Sequence, residues 1–112
     1  MNFYDKLNEL VRAFKETSEY KEYISLKEKI KLNQDQYLKV KEFKERQKEN
    51  QVAYLNGSKL SEEKRKEMEN LYSLVIRDET SRKLLEVEMK INVMLADIQK
   101  VIGESIKEIV EF

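Results

Sequence analysis

From Leu84 to Val101 the sequence reads LLEVEMKINVMLADIQKV, and this stretch decides the fold. Leu84, Val87, Ile91, Met94, Ile98 and Val101 recur at alternating steps of three and four, the heptad seam of an amphipathic α-helix. Leu85, Leu95, Ile102, Ile106 and Ile109 widen that seam. At about 100° per residue the apolar positions cover roughly 200° of the helix, more than one neighbouring helix can bury. Asp78 is a capping residue with Glu79 behind it, so the spacing predicts a helix over 79–110. Such a helix is roughly 48 Å long, longer than a compact domain of this size needs. Gly103 weakens it by about 1 kcal/mol against Ala and leaves room for another helix to approach closely.

Working outward, four shorter patterns precede this helix. Phe3, Leu7, Leu10, Val11 and Phe14 mark an amphipathic first helix. Thr17 or Ser18 can cap a second, running to about Leu32 with Tyr20, Tyr23, Ile24 and Ile30 inward. Asn33 caps a third over 34–55, and Gln36 stands where it can reach back in a capping box. Asn56-Gly57-Ser58 is a turn signal. Ser61 followed by Glu62 and Glu63 starts a fourth helix that ends near Ile76 and turns Met68, Leu71, Tyr72 and Val75 inward. No alternating strand pattern and no internal repeat occurs. The expectation is a single all-α domain over 1–112, its long third and fifth helices packed with shorter ones in an elongated bundle.

Composition removes whole classes of function. The 112 residues include no Cys, His, Trp or Pro, and 22 basic residues balance 22 acidic ones. Without Cys or His there is no disulfide framework, no Cys/His zinc or iron–sulfur site, and no Ser-His-Asp or Cys-His nucleophile. Zero net charge argues against a strongly basic nucleic-acid binder and a polybasic membrane anchor. Apolar runs such as Leu74–Ile76 and Val93–Ala96 are far too short to span a bilayer. Asp5, Lys6 and Glu9 interrupt any signal-peptide core, so a cytoplasmic location without membrane contact is expected.

The segment Leu85–Ile102 resembles the C-terminal signature of the YlbF/YmcA-like family, and the opening Asn2-Phe3-Tyr4-Asp5 resembles its YheA-type branch. Ser18-Glu19-Tyr20, and Phe43 followed by Gln47 and Gln51, fit the same general pattern. The resemblance covers nearly the full chain and rests on helix packing rather than on a catalytic motif. It implies a small, helical, self-associating bacterial protein. It also implies a regulatory role, in complexes that affect competence, sporulation, biofilm formation and RNA processing. Members of those complexes are associated with iron–sulfur clusters through cysteines; the absence of Cys here excludes that cofactor.

No catalytic, cofactor-binding or metal-ligating constellation stands out. Glu86 and Glu88 point to different helix faces. Glu88 lies beside Leu84 and Leu95 within the apolar arc, which predicts a buried carboxylate that is either paired with a Lys or Arg or raised in pKa. A carboxylate-only metal-dependent enzyme remains a third-ranked reading. The basic third helix, with Lys39, Lys41, Lys44, Arg46 and Lys48, supports the alternative of an RNA-associated module.

The leading reading is a non-enzymatic regulatory or adaptor protein acting through a protein partner. Its candidate contact residues are Tyr37, Phe43, Gln47, Gln51 and Tyr54. Tyr37, Phe43 and Tyr54 flank the stretch Lys44–Gln51, and Gln47 and Gln51 lie within it; the stretch contains no apolar residue although apolar residues return at Val52, Tyr54 and Leu55. That pattern fits either a solvated helix or a glutamine layer against another helix or subunit. The seam residues Ile91, Leu95, Ile98, Ile102 and Ile106 exceed what the shorter helices can cover, and predict a homodimer.

Overall fold

The computed structural model describes residues 2–111 and is 86 % helical, with no strand among them. The helices are α1 (Phe3–Lys15), α2 (Ser18–Lys31), α3 (Gln34–Leu55), α4 (Glu62–Ile76), α5 (Glu79–Ser105) and α6 (Lys107–Val110). The fold is all-α, with five substantial helices.

Each of the five longer helices has a chemical reason for its start. Asn2 Oδ1 accepts from the Asp5 amide at 2.9 Å, and Asn33 Oδ1 from the Gln36 amide at 3.2 Å. Ser61 Oγ accepts from the Lys64 amide at 3.2 Å, and Asp78 Oδ2 from the Ser81 amide at 2.9 Å. At α2 the cap is Thr17, whose Oγ1 accepts from the Tyr20 amide at 3.2 Å. Ser18 is already helical and donates to Glu19 Oε1 at 2.8 Å. Each of these bonds satisfies an amide that the helix itself leaves without a partner. At the end of α3, Gly57 has φ +83°. Its amide donates to the Tyr54 carbonyl at 3.0 Å and the Ser58 amide to the Ala53 carbonyl at 2.9 Å, the two bonds of a Schellman closure.

The chain divides into two compact units, one comprising Ser25–Leu84 and the other the residues up to Ile24 with those from Leu85 onward. In the first, α3 and α4 form an antiparallel hairpin, Phe43 lying against Tyr72 with ring centroids 5.8 Å apart and Arg46 paired with Glu67. Its core is Leu26, Ile30, Val40, Phe43, Val75 and Leu84. Two polar residues are buried with them. Gln36 Nε2 donates to Ser81 Oγ at 2.9 Å, and Ser81 Oγ donates to Asp78 Oδ2 at 2.8 Å. In the second unit the Phe14 ring meets Tyr20 edge-on, 5.7 Å between centroids. Val87 is its one buried apolar residue among those described.

Several sequence expectations change. The Gln36 side chain does not close a capping box on Asn33: its Nε2 donates to Ser81, and the Asn33 backbone amide donates to the Ile30 carbonyl at 3.0 Å. Leu26, not Ile24, is buried on α2, and Tyr72 stays about half exposed. The fifth helix stops at Ser105 rather than 110. Gly103 has a poor helix propensity, Ser105 Oγ donates back to the Val101 carbonyl at 2.7 Å, and Ile106 leaves helical geometry at φ −113°, ψ 18°. No side chain crowds Gly103: a Cβ built there meets nothing within 4 Å.

Candidate protein-interaction surfaces

Two surfaces emerge, one in each unit. On α3 the apolar stripe, continued from Phe43 by helical steps, passes Gln47 and then Asn50 or Gln51. Of these Asn50 turns toward α4, together with Arg46, Glu49 and Ala53; with Lys64, Glu67 and Met68 they line a polar notch of about 50 Å³. The steps from Phe43 through Arg46 and Asn50 to Ala53 are three, four and three, so the helix face is kept while its chemistry turns polar. Gln47 and Gln51 consequently face outward and are exposed. Tyr54 is 76 % exposed and Tyr37 half-buried, whereas Phe43 is a core residue. Of the five candidate contact residues, Gln47, Gln51 and Tyr54 thus lie open on α3, and Phe43 does not.

The basic residues of α3 are partly committed to acids. Lys39 Nζ lies 3.1 Å from Asp35, and Arg46 pairs with Glu67. Lys44 is half-buried, and its pKa is lowered by burial and, secondarily, by the charge of Lys27. Lys41 and Lys48 are exposed. No cluster of three or more acidic groups fit to hold a metal occurs among the described residues.

The second surface is built by α1 and the C-terminal part of α5. After Val87 no described residue of α5 is buried. Of the five seam residues, Ile91 and Ile98 are half-buried, and Leu95, Ile102 and Ile106 are 42–49 % exposed. Glu88, expected to be buried, is half-buried. Leu10, Ala13, Phe14 and Thr17 with Met94, Asp97 and Ile98 line an open groove of about 350 Å³. A second groove, of about 300 Å³, is lined by Leu10, Asp97, Ile98, Val101 and Ile102. Sequence reasoning assigned no role here to Leu10, Phe14 or Asp97. The signal for the first two was present in the α1 stripe; nothing in the sequence placed that stripe beside Asp97. At the edge of α2 in the same unit, the Ser18 hydroxyl holds the Glu19 carboxyl below its usual range, and Lys90 adds to the effect.

No helix among the described residues is long and apolar enough to cross a membrane. The profile of a family described as "Control of competence regulator ComK, YlbF/YmcA" matches residues 3–107. A UPF0342 protein of Desulfitobacterium hafniense is 36 % identical over 97 % of this chain and 88 % of its own length. Another, from Symbiobacterium thermophilum, is 36 % identical over 92 % of each chain. Among solved structures, a protein of unknown function (DUF964) from Bacillus stearothermophilus shares the fold. Its TM-score is 0.78 at 12 % identity, covering 96 % of this chain and 95 % of that one. The matched span, the helical fold and the packing-dominated motifs agree: the chain belongs to the YlbF/YmcA family.

Proposed function

We propose that the protein is a non-catalytic regulatory subunit that works as a homodimer and presents α3 to a second protein. The carrying observation is the apolar face of α1 and α5. Phe3, Leu7, Leu10 and Val11 on α1, Leu95, Val101 and Ile102 on α5, and Ile106 just beyond its end, are 41–72 % exposed. Averaging about half exposed, at about 150–200 Å² each, they present roughly 600–800 Å², close to one partner's share of a standard stable interface. Family membership supports the regulatory role, in the control of competence that the family description names. The adaptor contact is assigned to Gln47, Gln51 and Tyr54, exposed together along α3.

Light scattering coupled to size exclusion tests self-association. A mass near 27 kDa, about twice the 13.5 kDa chain, is expected at micromolar concentration. A mass that stays at 13.5 kDa over the whole concentration range overturns the dimer. Leu95→Asp should return the protein to one chain, because it places a charge on the apolar face. For the adaptor contact, Gln51→Lys and Tyr54→Ala should keep the dimer and lose a partner that the wild type captures by cross-linking in cells; retention by both variants overturns the assignment.

A further inference from the structure

We propose that α1 folds onto α5 only when a second copy covers the two: self-association and the folding of α1 are one equilibrium. The inference rests on the dimer reading and adds a conformational step to it. Helix α1 has 13 residues, none of them buried. An isolated helix of that length is marginal in water, so α1 needs tertiary contact to persist. What this chain supplies is slight. Phe14 meets the Tyr20 ring, the Thr17 hydroxyl donates to the Phe14 carbonyl at 2.7 Å, and Leu10, Ala13 and Phe14 border a groove that stays open. Its polar restraints are the Asn2 cap and a Lys6–Glu9 pair at 3.4 Å, with both side chains largely exposed. An exposed pair of that kind adds little.

The occupant is a second copy, because α1 supplies an exposed apolar stripe and the grooves beside it are lined almost wholly by apolar side chains. Both grooves share Leu10, Asp97 and Ile98. A two-fold axis laid on such a face presents each copy's stripe to the other's groove, so one patch provides both halves of the contact. The unit from Ser25 to Leu84 has its own core and its own buried hydrogen-bond chain. It has what it needs to stay folded while α1 is released.

Hydrogen exchange followed by mass spectrometry on the full chain, from the lowest measurable concentration to several hundred micromolar, tests the coupling. Light scattering is recorded at each concentration. As the mass falls toward one chain, peptides covering Phe3–Lys15 should exchange at least about ten-fold faster, while those from α3 and α4 keep their rates. Ile106→Asp, on the dimer face but outside α1, should produce the same α1 exchange at all concentrations. Dissociation with α1 protection unchanged overturns the coupling and leaves the dimer standing. A single-chain mass throughout with a protected α1 overturns both.

Discussion

The amide nitrogen of Gln36 donates to the hydroxyl of Ser81 across 45 positions of sequence, tying the first turn of α3 to the first turn of α5. Ser81 passes the interaction on to Asp78, which also caps α5. A core side chain and a helix cap are thus parts of one buried chain of hydrogen bonds. Ser81→Ala removes the acceptor for Gln36 and one donor to Asp78, and should cost about 1–3 kcal/mol in urea denaturation. Gln36→Leu in the same background should recover part of that loss, since no amide is then left unpaired. A double-mutant cycle with coupling near zero would show the two sites to be independent.

Phe43 and Tyr54 are both aromatic residues of α3, and their substitutions should separate widely. Phe43 is 5 % exposed and Tyr54 76 %. Phe43→Ala should therefore cost about 3–5 kcal/mol, and Tyr54→Ala at most about 0.5 kcal/mol. Thermal melts of the two variants at one protein concentration measure the difference.

Lys44 gives stability an alkaline dependence. Burial, and then the charge of Lys27, lowers its pKa below 10.5 in the folded chain. Between the lowered pKa and 10.5 the unfolded chain holds a proton that the folded chain has released, so stability rises with pH there. Lys44→Met should remove that rise, so the gap in urea midpoint between variant and wild type should shift in favour of the wild type as pH approaches 10.5. A gap that is constant with pH would mean that the ammonium has no such cost.

The two glycines should respond with opposite signs. Gly57→Ala forces a side chain into φ +83° and should destabilise by about 1 kcal/mol. At Gly103 the backbone is helical and a Cβ meets nothing within 4 Å. Gly103→Ala should stabilise by up to about 1 kcal/mol and extend α5 past Ser105, visible as slower exchange at Glu104–Ile106.

How far the fold was legible depended on how local its causes were. Asn33, Ser61 and Asp78 were readable as caps because a cap needs only one side chain and the next turn's amides. The bounds of α3 followed for the same reason. Leu26 was missed because α2 carries two apolar stripes: Tyr20 lies in one compact unit, Leu26 and Ile30 in the other, and one helical period cannot describe both. The Gln36 amide was misassigned to a nearby backbone group because its true partner is distant in sequence. The α5 seam shows the deeper limit. Periodicity identified the apolar face of Ile98 and Ile102 but carried no information on what lies against it. The polar run of α3 was visible as composition; which of Gln47 and Asn50 faces α4 depended on the rotation of the hairpin.

The Schellman closure at Gly57 has a practical consequence for altering the chain. It completes the end of α3 with its own backbone, and Ser61 completes the start of α4 with its own side chain. The exposed residues between them serve only as a spacer. Loop-closure entropy grows as the logarithm of length, each doubling costing about 0.6 kcal/mol. An epitope or small reporter domain grafted between Ser58 and Lys59 would therefore leave both helix ends intact. It would also sit on the unit that holds the core, away in sequence from every residue of the α1–α5 face.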